Sequence, residues 1–244
     1  MNKILSLFLT PLFYVTFGLI LLIFHPIQVF TRNVFGAKAH DMTVGWLNLW
    51  ITAALGILGT RVTYRNFVPL PLNEPILVIS NHQSMWDISP VIWKLRKKRT
   101  KYIAKSSLAR FIPSISYNLR YGGSLSIDRS DKEGSFDKIS AFAKFIAEKK
   151  FAIVIYPEGT RSKDGTIKPF KSGGIAEILK VIPDITVVPI AIKNTGKIDN
   201  GGKFLKRIGV HASFTMLPLR KVNRADLETE LEAIREEIKG TLTE

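Results

Sequence analysis

The chain contains no cysteine, so it can build no disulfide framework, thiolate zinc site or cysteine nucleophile. Histidine is scarce too: His25, His40, His82 and His211 are scattered without ligand spacing, and neither a metal nor a cofactor is expected. Acidic residues are few, 20 against 35 lysines and arginines, for a net charge of +15. That imbalance points to an anionic partner: nucleic acid, an anionic lipid surface or a phosphorylated substrate. Internal repeats and low-complexity tracts are absent, and the one candidate junction lies near residue 60. What remains is an ordinary globular balance, 46% hydrophobic and 23% charged over 244 residues, which excludes a disordered or collagenous chain.

Charge is also missing locally. From Ile4 to Thr31 no side chain is formally charged, a run of 28 residues, when about 20 suffice to cross a bilayer. Lys3 and Ala37-Lys38-Ala39 imitate a signal peptide and its cleavage site, but the apolar stretch is about twice a normal signal core, so the segment is read as retained. A second uncharged run, Met42 to Thr60, puts Trp46 and Trp50 on one helical face and suits the headgroup level. The connector between the runs carries Arg32 and Lys38, so the positive-inside comparison favours neither side. The expectation is a membrane-associated helical hairpin over residues 1–60, dipping into one leaflet, with Pro11 and Pro26 at bends or ends.

After Arg61 short β-branched runs alternate with amphipathic stretches. Pro75–Ser80, Gly123–Ile127, Phe151–Tyr156 and Ile185–Lys193 read as strands; Ser135–Lys150 and Gly173–Val181 read as helices. Asn223 caps a last helix that Gly240 is expected to stop. This alternation predicts an α/β domain over residues 61–244 with a largely parallel central sheet flanked by helices.

Four short elements could carry chemistry. The first strand runs into Asn81-His82-Gln83-Ser84-Met85-Trp86-Asp87. On a regular helix residues five apart do not meet. If His82 sits in a turn before a helix starting near Ser84, Asp87 can reach back, fix the imidazole tautomer and make a general base. A histidine in such a place also serves as a structural cap. The second element, Tyr156-Pro157-Glu158-Gly159-Thr160-Arg161-Ser162, follows another buried strand; its arginine offers a fork that matches a phosphate, and Glu158 could hold either that arginine or a substrate hydroxyl. Third is Ile127-Asp128-Arg129 at a strand end. Fourth is Val188-Pro189, where a proline in an apolar strand suggests an edge or a bulge.

Taken in their order along the chain, the four elements resemble the 1-acylglycerol-3-phosphate (lysophosphatidic acid) acyltransferase family of the glycerolipid acyltransferase group. The resemblance covers roughly Arg61 to Lys193 and takes in Lys168-Pro169-Phe170-Lys171-Ser172-Gly173; Tyr156 and Ser126 stand where many members have phenylalanine. It implies the glycerol-3-phosphate acyltransferase-like fold. It also implies transfer of an acyl group from an acyl carrier protein (acyl-ACP) or coenzyme A (acyl-CoA) thioester to the 2-hydroxyl of lysophosphatidic acid, without an acyl-enzyme. In that reading His82 and Asp87 are catalytic, Arg161 and Arg129 bind the acceptor phosphate, and Glu158, Gly159 and Thr160 shape the glycerol site. Lys105 is a further phosphate candidate. The acid-free stretch from Lys94 to Arg110 suits anionic headgroups or an acidic carrier protein. Its only interleaved aromatics are Trp93 and Tyr102, so nucleic acid is not expected as a partner. The resulting expectation is an enzyme on the cytoplasmic face of the cell membrane.

Overall fold

The computed structural model describes residues 3–106, 111–128, 132–162 and 165–243. A helical segment, α1 (Lys3–Ala54), opens the chain and is broken at Gly36, whose φ of 80° and ψ of −169° lie outside the helical region. The two limbs fold back on each other, because Thr43 donates to Thr31 Oγ1 at 3.2 Å although twelve residues of straight helix would hold them about 18 Å apart. The expected hairpin is therefore present as a backbone form. Pro11 and Pro26 lie inside the first limb, at neither of its ends. A proline removes one helical hydrogen bond and kinks the axis, whereas reversal needs a residue that accepts positive φ, and Gly36 is that residue.

The α/β part contains β1 (Arg61–Arg65), β2 (Ile76–Ser80), α2 (Ile88–Lys94), β3 (Lys101–Lys105), α3 (Ile115–Tyr121), β4 (Leu125–Ile127) and α4 (Lys132–Lys149). It continues through β5 (Ala152–Ile155), α5 (Gly173–Val181), β6 (Thr186–Lys193), α6 (Thr195–Ile198), β7 (His211–Met216) and α7 (Leu227–Thr243). One seven-stranded sheet has the order β1-β7-β6-β2-β5-β3-β4. All neighbours pair parallel except β6 with β7. The largely parallel architecture read from the sequence is thus present.

Every residue of β2 is buried, and its pleat divides the core. Leu77 and Ile79 face α4, α5 and α7 through Ile146, Ile178 and Ile234, while Ile76 and Val78 face α2 through Val91. The hairpin contributes a third cluster, in which Phe13, Leu47, Leu55 and Leu58 pack with Trp86, Ile198 and Val210. Its opposite face stays open, with Leu12, Leu19, Leu22, Ile23, Phe30, Trp46 and Trp50 all exposed.

One local expectation needs correction, and one pair of alternatives is resolved. Helix α7 runs through Gly240 to Thr243, since a glycine in an exposed last turn costs only about 1 kcal/mol against alanine. Strand β6 is central, not an edge. Val187 exchanges both backbone bonds with Arg220, whereas Pro189 accepts from Leu217, so Pro218 and Leu219 together face Val188 in a bulge. The proline's missing donor falls just past the end of β7, where it breaks no ladder.

Candidate active site

Strands β2, β5, β3 and β6 all point their carboxyl ends to one edge of the sheet, where ligands collect in α/β folds. At the end of β2 the Ser80 hydroxyl donates to Ile190 O at 2.7 Å. Asn81 exchanges two 2.8 Å bonds with the backbone of Ile192. The amide side chain imitates a strand residue and fixes where the next turn begins.

That turn carries His82. Ser84 caps a short 3-10 turn over Met85–Asp87, its side chain accepting from Trp86 N at 3.3 Å. The cap bends Asp87 back toward His82. Asp87 Oδ2 lies 2.7 Å from His82 Nδ1 and also accepts the amides of Gln83 at 2.7 Å and Ser84 at 2.9 Å. The carboxylate is fully buried and the imidazole 16% exposed. An ionised acceptor at Nδ1 demands a proton there, which leaves Nε2 as the basic nitrogen. Tyr156 stacks on the imidazole with ring centroids 4.2 Å apart, a contact that the sequence reading missed.

Glu158 is buried and fully engaged. Its Oε1 accepts the His82 amide at 2.6 Å and its Oε2 the Lys168 amide at 2.9 Å, so it braces the two loops and forms no ion pair with Arg161. Burial pushes its pKa above the usual carboxylate value, against the pull of the Lys168 and His82 amides. Ser162 N donates to His82 O at 2.8 Å and Lys171 N to Pro157 O at 3.0 Å, closing the brace. Gly159 has φ of +72°, and a Cβ there would stand 3.4 Å from Lys171 Nζ. Thr160 and Arg161 are exposed at the mouth, the Lys168 ammonium donating to Thr160 Oγ1 at 2.8 Å and Arg161 O at 3.3 Å. Lys105 is exposed at the end of β3, the neighbour of β5. Arg129 lies outside the described residues, directly after exposed Asp128. The structure thus brings His82, Asp87 and Glu158 into direct contact, and leaves Arg161 in the loop after β5 and Lys105 at the end of the neighbouring strand β3.

The acid-free stretch is less available than its charge suggests. Lys98 is buried and donates to the carbonyls of Pro71, Glu74 and Lys150, while Arg99 and Lys101 both pair with Asp41 of the hairpin. Arg96 stacks over Trp93 at 3.8 Å. A buried lysine needs such partners, and acid-free spacing in sequence cannot reveal carbonyls brought in by the fold.

A largely parallel sheet thus holds, at the carboxyl edge where ligands collect in α/β folds, a histidine–aspartate pair beside a glycine-containing cationic turn. The acyltransferase family model matches residues 61–193, more than half of the chain, and the chain belongs to that family. Among curated relatives, the chloroplastic 1-acyl-sn-glycerol-3-phosphate acyltransferase BAT2 of Brassica napus is 33% identical over 130 residues, 53% of this chain and 36% of its own length. The alpha form from Mus musculus is 28% identical over 159 residues, 65% of this chain and 54% of its own. This chain therefore spans little more than a third of the Brassica protein. The crystal structure of the 1-acyl-sn-glycerophosphate (LPA) acyltransferase of Thermotoga maritima shares the fold, with a TM-score of 0.78 at 20% identity over 100% of this chain and 98% of that one.

Proposed function

We propose that the protein acylates the 2-hydroxyl of lysophosphatidic acid from an acyl-ACP or acyl-CoA thioester, giving phosphatidic acid. The observation that carries the reading is the 2.7 Å His82–Asp87 pair at the carboxyl end of β2, in a family whose matched relatives bear that activity in their names. With Nδ1 held by Asp87, Nε2 takes the proton of the acceptor hydroxyl as that oxygen attacks the thioester carbonyl. The tetrahedral oxyanion collapses, the thiol leaves with the proton that His82 returns, and no acyl-enzyme forms. Arg161, with Lys105 and Arg129, binds the acceptor phosphate; a guanidinium fork satisfies two phosphate oxygens at once. Gly159 and Thr160 shape the glycerol side. Glu158 contributes by holding His82 through its amide.

Residues 1–60 anchor the α/β domain to the cytoplasmic face of the membrane without crossing it. Three contacts support a hairpin lying along the domain. Ser6 donates to Lys206 O at 2.6 Å, His25 Nδ1 accepts from Ser114 N at 3.1 Å, and Asp41 pairs with Lys101 at 2.6 Å. A hairpin spanning a bilayer would carry its tip, near Asp41, away from those partners. The exposed apolar face is then left to one leaflet.

The test is a panel assay: purified protein with several lysophospholipids and glycerol 3-phosphate as acceptors, both thioesters as donors, read by lipid mass. Phosphatidic acid as the main product supports the reading. Preferential acylation of another lysolipid or of glycerol 3-phosphate reassigns the acceptor, and no product from any pair overturns the activity.

A further inference from the structure

The acceptor cations stand on the β5 and β3 side of His82. On its other side, toward β6, lies a cleft of about 390 Å³ whose lining runs from Gln83, next to the histidine, past Lys193, Asn194 and Lys197 to Arg207. Gln83 is buried, while Lys197 and Arg207 are exposed, so the cleft has a buried wall at the residue after His82 and an exposed cationic one. Its inner wall is built closely. Gln83 Oε1 lies 3.4 Å from both Gly196 N and Thr195 Oγ1, and a Cβ on Gly196 would stand 3.3 Å from Gln83 Cβ.

Among the described residues none of Lys193, Lys197 and Arg207 forms an ion pair. The only acid between Lys193 and His211 is Asp199, and it is committed elsewhere. Its Oδ1 accepts from Trp86 Nε1 at 3.1 Å and Lys206 Nζ at 3.0 Å, and its Oδ2 from the Ser84 hydroxyl at 2.6 Å. Three cations around one cleft, none of them paired with an acid among the described residues, suit a phosphate or pyrophosphate group.

We propose that this cleft holds the phosphate-bearing pantetheine arm of the acyl thioester, with the sulfur end toward Gln83 and the phosphate toward Lys197 and Arg207. The assignment rests on the acyltransferase reading and adds a donor site to it. The chemistry is shared by coenzyme A and by the prosthetic arm of a carrier protein. The donor phosphate then meets Lys197 and Arg207 and the acceptor phosphate Arg161 and Lys105, so that neither needs the other's cations.

The test uses the full chain carrying Lys197→Ala and Arg207→Ala, both exposed side chains whose loss leaves the core intact. With acyl-CoA or acyl-ACP varied against saturating lysophosphatidic acid, KM for the thioester should rise roughly 10- to 100-fold, the range for losing hydrogen bonds to a charged group. KM for lysophosphatidic acid should stay unchanged. An acyl-N-acetylcysteamine thioester, which has no phosphate, should be used equally by both proteins. A defect confined to acyl-CoA, or to acyl-ACP, supports the site and identifies the arm. An unchanged thioester KM with both donors, or an equal loss on the phosphate-free thioester, overturns it. Calorimetric titration with coenzyme A and with 4′-phosphopantetheine needs no turnover, and equal binding by wild type and double variant would likewise overturn it. A wild type that binds these compounds through Lys197 and Arg207 yet acylates nothing would refute the acyltransferase reading and leave the cleft assignment standing.

Discussion

The turn at His82 and the turn at Arg161 leave neighbouring strands at the same sheet edge, yet they are held in opposite ways. At the first, Asn81, Ser84, Asp87 and Glu158 fix the backbone and the imidazole by short bonds, most of them buried. At the second the backbone is braced to His82 O through Ser162, while the Arg161 side chain extends into solvent. The difference follows from the chemistry each turn would serve. Proton transfer falls off steeply with misplacement and needs a preorganised base. A phosphate delivered from a lipid surface needs a charged fork with reach, and a long flexible side chain supplies it.

If that division holds, damage should scale with rigidity. Asp87→Asn removes the charge that fixes the Nδ1 proton while keeping the shape, so turnover should fall about 10²- to 10⁴-fold, comparable to loss of a general base. Steady-state kinetics measure this, with circular dichroism to check the fold. Arg161→Lys keeps the charge and loses the fork, and KM for lysophosphatidic acid should rise about tenfold or more with the thioester KM unchanged. A defect confined to the thioester would move Arg161 to the donor side.

The smallest effect on chemistry should come from the hairpin's outer face. Changing Leu19, Leu22 and Ile23 to glutamine should weaken flotation with anionic vesicles and slow turnover of bilayer-borne acceptor severalfold, while a short-chain soluble acceptor is processed as before. Equal loss on both acceptors would mean that this face packs against protein. Deleting the hairpin is a poorer test, because Phe13 and Phe17 pack edge-on against Trp86, which is only 2% exposed, and the deletion would uncover the His82 turn.

Legibility followed the same contrast. Strands β2, β5 and β6 announced themselves because burial on both faces demands continuous β-branched runs. Strands β1, β3 and β7 did not. In β1, Arg61 and Arg65 flank three partly buried residues at an edge, and β7 begins with His211 and alternates polar with apolar residues. In β3 the lysine at the start looks like a surface residue, yet Lys101 is buried against Asp41, sixty residues earlier in the chain. The His82–Asp87 contact was legible because it depends on a strand-to-helix turn with Ser84 as its cap, a local matter. The two amide bonds to Glu158, the Tyr156 stack and the basic cleft by Gln83 were not, because each joins segments that only the completed sheet brings together.

The central claim is that His82 is the base that activates the acceptor hydroxyl. Its most direct test compares wild type with His82→Ala for phosphatidic acid formation from lysophosphatidic acid and an acyl thioester, with vesicle binding measured on the same samples. The account expects product to fall by about 10²- to 10⁴-fold with vesicle binding retained, because the hairpin's outer face is untouched. Undiminished turnover by the alanine variant would contradict it.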